Sequence, residues 1–228
     1  MKLEAVMEHP ATSREVRLIS LDFDGTILVY DDPEGVFHPD VISFLNGLEE
    51  LGVRWCANSG RDRADQLAVI ERSRERGLAF MPDALICSES MVYVKTGSDY
   101  ESLEPWNSSA HACLRTCHRE VQARLSDHLD YIQKVYQPIS SLIGEHFTAF
   151  FVRDHDQLPQ RLLKDIGRFT EGVKDMMLTR NGGWVSMMHI SLGKGNALKE
   201  YARHIDLKPD HILAVGDQYN DLPMLRTD

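Results

Sequence analysis

Nothing in these 228 residues approaches the apolar run that a membrane-spanning helix needs, about 20 residues. The opening segment, MKLEAVMEHPATSREVR, also lacks the apolar stretch of a secretory signal. It is expected to be a surface extension over residues 1–16. Cysteine is scarce: Cys56, Cys87, Cys113 and Cys117, without a secretory signal, fit reduced thiols in a cytoplasm rather than a disulfide framework. Basic residues are outnumbered, 25 Lys and Arg against 35 Asp and Glu, giving a net charge of −10. That balance argues against nucleic acid and anionic membranes as partners. A phosphorylated substrate stays compatible with it, since a bound cation can reverse the field at one site. Internal repeats and low-complexity segments are absent too. What is present is an ordinary globular balance, 43% hydrophobic and 26% charged, which supports a packed core. The length suits one large domain or a domain carrying an insertion.

The pattern along the chain alternates strand and helix. RLISLDF is a short apolar run with an abrupt polar end, which predicts a buried strand. PDVISFLNGLEELG follows as a helix, with Pro39 suited to its first turn and Gly52 to its stop. VRWCANSG predicts a second strand, RDRADQLAVIERSRERG a second helix, and DALIC a third strand. Such an alternation predicts βαβ units and a parallel sheet. The middle differs. AHACLRTCHREVQARLSDHLDYIQKVY predicts one long amphipathic helix. HFTAFFV (strand), LPQRLLKDIGRF (helix) and two strands flanking an Asn181-Gly182-Gly183 turn complete an α/β module with its own antiparallel sheet. The βα pattern resumes with GNALKEYARHI and HILAVGD. The expected organisation is a parallel-sheet α/β domain formed by residues 17–90 and 190–228, with an inserted α/β module at 91–189.

One stretch poses a chemical question: ISLDFDGTILVY ends an apolar run with two aspartates. Aspartate is poor in strands and expensive to bury, and paired carboxylates repel unless a cation holds them. Three further polar clusters stand at or near the carboxyl ends of expected strands, where open α/β sheets bind ligands. They are Asn58-Ser59-Gly60, Lys194, and the Gly216–Asp221 segment GDQYND with Asp217, Asn220 and Asp221. Together these residue types meet the demands of phosphoryl transfer. Asp22 can be the nucleophile and Asp24 the general acid and base. Asp217 completes a hard-oxygen set for Mg²⁺. Ser59 and the backbone N–H groups around Gly60 can donate to phosphate oxygens, and Lys194 supplies a compact cation.

This set resembles the haloacid dehalogenase (HAD) superfamily. Asp22-Phe23-Asp24-Gly25-Thr26 matches its first motif and Ser59-Gly60-Arg61 its second. Lys194-Gly195-Asn196-Ala197-Leu198 matches the third and Gly216-Asp217-Gln218-Tyr219-Asn220-Asp221 the fourth. An α/β module between the second and third motifs is similar to the cap of the Cof-like branch, subfamily IIB. The resemblance implies a Rossmann-like HAD core with an inserted cap. It also implies an aspartyl-phosphate mechanism on Asp22 and Asp24, and Mg²⁺ held by the Asp22 side chain, the Asp24 carbonyl and Asp217. The family's core usually continues past the fourth motif with another strand and helix, so with Asp228 as the last residue the sheet is expected to stop one strand short. Where Cof-like members often carry Asn-Gly after the third strand, this sequence has Ser88-Glu89-Ser90.

The resulting expectation is a Mg²⁺-dependent phosphatase of a small phosphorylated metabolite, a sugar phosphate by preference. A phosphomutase using the same aspartates, or a non-catalytic metabolite-binding protein on a HAD scaffold, are the alternatives. Arg61 either meets substrate or pairs with Asp62 or Asp65. Asp221, with Asn220, supports the site by orienting Asp217 or Lys194. Arg180 and Asn181, with Trp184, are candidate substrate contacts on the cap. HACLRTCH places Cys113 and Cys117 one turn apart on a helix, which favours buried thiols over a metal site. Oligomeric state and the identity of the substrate are not encoded in these motifs.

Overall fold

The computed structural model describes residues 15–30, 34–144, 146–153, 155 and 157–226. Of the extension expected over 1–16, only Glu15 and Val16 fall among them, and Asp228 lies outside them.

In chain order the elements are β1 (Leu18–Leu21), α1 (Pro39–Glu50), β2 (Arg54–Asn58), α2 (Arg63–Glu75), β3 (Ala84–Cys87), β4 (Met91–Thr96) and β5 (Asp99–Ser102). Then come α3 (Trp106–Leu125), α4 (Leu129–Tyr136), β6 (Ser140–Gly144), β7 (Phe147–Phe151), α5 (Leu158–Phe169), β8 (Met176–Asn181) and β9 (Trp184–His189). The chain closes with α6 (Lys194–His204), β10 (Ile212–Val215) and a short α7 (Leu222–Leu225).

The larger sheet has the order β10-β1-β2-β3-β4-β5. Its first four strands run parallel and the last two antiparallel. Every residue of β1 and β3 is buried, as strands covered on both faces require, and this is why their sequences read as unbroken apolar runs. The β4–β5 hairpin extends this sheet past residue 90, so the junction expected at 90/91 falls inside the sheet. Period-2 alternation in MVYVKT is weak because only Met91 and Val92 are fully buried.

The inserted module has its own antiparallel sheet, ordered β6-β7-β9-β8. Helices α3, α4 and α5 cover one face of it through Cys117, Val121, Leu125, Ile132, Leu162 and Ile166, packed on Phe150, Val185 and Met187. The expected glycine turn joins β8 to β9, with Asn181 opposite Trp184 and Gly182 at a φ of +52°. The single helix expected over 110–136 is broken instead by a 3₁₀ turn at Ser126–His128. There Ser126 Oγ bonds back to the carbonyl of Ala123 at 2.9 Å, a local competition that loosens helices.

Met177 and Met188, paired across β8 and β9, seat the module on the larger domain's core cluster. Among the described residues no helix is long and apolar enough to cross a membrane.

Candidate active site

Register brings the first, second and fourth sequence clusters together. Leu21, the last residue of β1, is paired with Ala57 of β2 on one side and Val215 of β10 on the other. The residues that follow, Asp22, Asn58-Ser59 and Gly216-Asp217, therefore emerge side by side at the carboxyl edge of the sheet. Asp22 N continues the ladder by one bond, to Val215 O at 3.1 Å.

Lys194 arrives from the first turn of α6 and is 1% exposed. Its Nζ stands 2.7 Å from Asp22 Oδ1 and 2.6 Å from Asp221 Oδ1, with Asp22 and Asp221 only 3% and 0% exposed. Asn58 Nδ2 anchors the same turn by donating to Lys194 O at 3.2 Å. Burial pushes the Asp22 carboxyl up to about 6, against the pull of Lys194, and the charge of Asp221 adds to the rise. Burial pulls the Lys194 ammonium down, but Asp22, Asp221 and Glu89 outweigh it and hold it above its ordinary value.

Asp24 is turned the other way. Both its oxygens are taken by the Arg61 fork, Nε at 2.8 Å and Nη2 at 2.7 Å. This hydrogen bonding lifts the guanidinium above its usual value, against a smaller effect of burial. Of the two readings of Arg61, the ion pair is realised, but with Asp24 rather than with Asp62 or Asp65. Asp62 instead caps α2 by accepting from Asp65 N at 2.8 Å. Ser59 is buried, and its Oγ accepts from Arg61 N at 3.2 Å.

Asp221 accepts from Lys194 Nζ at 2.6 Å and closes its own turn by accepting from Gln218 N at 2.8 Å. Asp22, Asp217 and Asp221 each place a carboxylate oxygen within 4.8 Å of the other two. Three hard oxygens around one point fit Mg²⁺ better than a softer metal, and Asp22 and Asp221 share a single ammonium, so the donor set suits a divalent cation. The Asp24 side chain is outside this cluster, on Arg61, and the expected contribution of Asp24 is its backbone carbonyl.

Arg180 and Asn181 belong to β8, a strand that packs against the Tyr219–Asp221 turn of the fourth cluster. They sit at the tip of the β8–β9 hairpin, where Arg180 Nε donates to Gly182 O at 3.0 Å. The other end of that hairpin, at Met177, meets the core, and four residues of strand separate the two ends by roughly 13 Å.

Two residues at the site escaped the motif reading. Glu89 accepts from Asn220 Nδ2 at 2.8 Å, and its Oε1 lies beside Gly60. Burial raises its carboxyl, against the pull of Lys194. Ser88 and Glu89 both adopt positive φ, +49° and +60°, which explains why Asn-Gly is common at this position. Their amides are held by Arg61 O at 2.8 Å and Ser59 O at 3.1 Å. The departure from Asn-Gly was the available signal. Tyr30, whose hydroxyl donates to Asp217 Oδ2 at 3.0 Å, had none, because eight residues separate it from Asp22 and no motif includes it.

A family model described as haloacid dehalogenase-like hydrolase matches residues 83–227. No curated protein sequence matches the chain. Solved structures of similar fold include a phosphatase of the haloalkanoate (HAD) superfamily from Bacteroides thetaiotaomicron, at 15% identity and a TM-score of 0.64, covering 98% of this chain and 85% of that one. The sucrose-phosphatase of Synechocystis, solved with sucrose and phosphate, aligns at 17% identity and a TM-score of 0.61, over 92% of this chain and 79% of that one. A sugar phosphatase of HAD subclass IIB aligns at 15% identity and 0.61, over 92% and 84%. At these identities the likeness is one of fold, and it extends through the inserted module.

Proposed function

Because this chain belongs to the haloacid dehalogenase-like hydrolases, we propose that it is a Mg²⁺-dependent phosphatase of a small phosphorylated metabolite, with a sugar phosphate favoured. The observation that carries the reading is the convergence of Asp22, Lys194 and Asp221 at a sheet edge, with Asp24 two residues from Asp22 and on a separate partner.

In this reading an oxygen of Asp22 attacks the phosphorus and the ester P–O bond breaks. Asp24 gives its proton to the departing oxygen, and the phosphoryl group remains on Asp22. Asp24, now a carboxylate, takes a proton from water as the water oxygen attacks that phosphorus. The bond to Asp22 breaks, phosphate leaves, and Asp24 is protonated for the next turn. To act, Asp24 needs an oxygen back from Arg61, so substrate entry displaces one arm of the fork. Lys194, Ser59 and the Gly60 amide neutralise the equatorial oxygens. Asp22 and Asp217, with the Asp24 carbonyl or Asp221, would hold Mg²⁺, which when bound supplies charge neutralisation to the phosphoryl group.

The inserted module serves as a lid that excludes water and supplies substrate contacts. Ser90 Oγ, 3.8 Å from Met188 Sδ, supports this by linking the loop after β3 to the module's sheet. The substrate preference rests on fold likeness to the sucrose-phosphatase and the subclass IIB sugar phosphatase. A net charge of −10 fits a small metabolite in a cytoplasm better than nucleic acid or a membrane surface.

The test is phosphate release from sugar phosphates, nucleotides and p-nitrophenyl phosphate, with Mg²⁺, with EDTA, and with Asp22→Asn. Release that requires both the metal and Asp22 is expected. No release from folded, Mg²⁺-supplied chain would overturn the reading, and phosphoryl exchange between sugar positions without release would identify a mutase.

A further inference from the structure

The three carboxylates of the candidate cation site are not held alike. Asp22 and Asp221 are buried and both face Lys194 Nζ. Asp217 is exposed, and an exposed carboxylate loses side-chain entropy when it is drawn into a fixed coordination geometry. Its support comes from two neutral donors. Tyr30 Oη donates to Asp217 Oδ2 at 3.0 Å, and Gln218 Nε2 reaches the same oxygen at 3.1 Å. Both donors meet one oxygen, which fixes the carboxylate while leaving the other oxygen for a cation.

The backbone is arranged for this contact. After Asp24 the segment turns back on itself: the amides of Thr26, Ile27 and Leu28 converge on Phe23 O at 3.1, 3.0 and 2.8 Å, and Gly25 N meets Leu28 O at 2.8 Å. Gly25, at a φ of +84°, lies under the pair. A Cβ there would stand 2.4 Å from Asp217 Oδ2 and 2.4 Å from the Tyr30 ring. The glycine of Asp-Gly-Thr thus leaves room for a phenol and a carboxylate to meet above it.

We propose that Tyr30 is a positioning residue of the cation site, its hydroxyl holding Asp217 in place so that three carboxylates converge on one hard cation. The inference rests on the Mg²⁺ site of the proposed function. Hydrogen bonds to metal-ligating carboxylates set ligand orientation, and losing one weakens metal binding by about 10–100-fold.

The experiment is calorimetric titration of Mg²⁺ into the full chain and into Tyr30→Phe, with thermal unfolding of both in EDTA. Tyr30 is 50% exposed, so loss of one hydroxyl leaves the fold standing. The expected result is Mg²⁺ binding weakened about tenfold in Y30F, with an unchanged midpoint in EDTA. Equal Mg²⁺ affinity in the two proteins overturns the proposal, as does weakened binding with an equally lowered midpoint, which would make Tyr30 a packing residue. Absence of Mg²⁺ binding by the unsubstituted chain removes the cation site itself, and that result is distinct from either.

Discussion

Lys194 Nζ lies 2.6 Å from Asp221 Oδ1, both groups buried and 27 residues apart in sequence. The contact ties the start of α6 to the turn after β10, and it does so beside Asp22. Removing one member of such a pair strands buried charge, which costs about 3–5 kcal/mol. Lys194→Met is therefore expected to lower unfolding free energy by that amount in EDTA, measured by urea titration, and to recover part of it with Mg²⁺. A loss below about 1 kcal/mol, the worth of a surface pair, would show that the lysine is not holding these carboxylates.

Asp22 supplies a pH dependence with a definite sign. Its carboxyl stands raised to about 6 in the folded chain, so the folded state binds this proton more tightly than the unfolded state. The stability it contributes without metal is present at low pH and is lost as pH rises through about 6. A cation needs the ionised form. The rise in melting temperature produced by Mg²⁺ should thus grow between about pH 5 and pH 7.5. A metal-induced shift that is flat across that window would contradict Asp22 as a ligand.

The Arg61–Asp24 fork is one-third exposed on both sides, so it matters more for orientation than for stability. Arg61→Lys keeps the charge and loses the planar fork. Turnover of a sugar phosphate should fall about tenfold, while stability changes by less than about 0.5 kcal/mol. With p-nitrophenyl phosphate the fall should be smaller, because that leaving group needs no proton. Equal losses on both substrates would count against Asp24 as the acid.

Two helical glycines should respond in opposite ways. A Cβ at Gly195 would stand 2.4 Å from the carbonyl oxygen of Pro223, so Gly195→Ala must push α6 from α7 and should cost about 1–3 kcal/mol, with activity falling as Lys194 shifts. Gly47, within α1, has nothing inside 4 Å, and Gly47→Ala should stabilise by about 0.5–1 kcal/mol. Thermal unfolding of both variants checks the pair.

Much of this was legible in the sequence where a strand ends abruptly in polar residues. Asp22 and Ser59 follow strands that are largely buried, Asp217 follows the half-exposed edge strand β10, and a parallel sheet brings such ends together whatever the intervening length. The β4–β5 hairpin was not legible, since Lys95, Thr96 and most of β5 are exposed and dilute the alternation. The break in the long central helix falls at Ser126–His128, where no glycine or proline marks it in the sequence. At the site, Glu89 and Tyr30 act through contacts made only after the chain has folded, with Asn220 lying 131 residues from Glu89 and Asp217 lying 187 residues from Tyr30. Arg180 and Asn181 were singled out by residue type beside an Asn-Gly-Gly turn, and the strand that carries them packs against the Tyr219–Asp221 turn.

The central claim is that Asp22 carries the phosphoryl group and Asp24 supplies the proton chemistry that frees it. Asp24→Asn should still be phosphorylated by p-nitrophenyl phosphate, whose leaving group needs no acid, but should be unable to activate water. Mass spectrometry of this variant after acid quench tests the claim most directly. The account predicts one phosphoryl group per chain, located on the peptide containing Asp22 and absent when Asp22 is also replaced by Asn. A folded, Mg²⁺-supplied Asp24→Asn chain that releases phosphate at the unsubstituted rate and never gains that mass would contradict it.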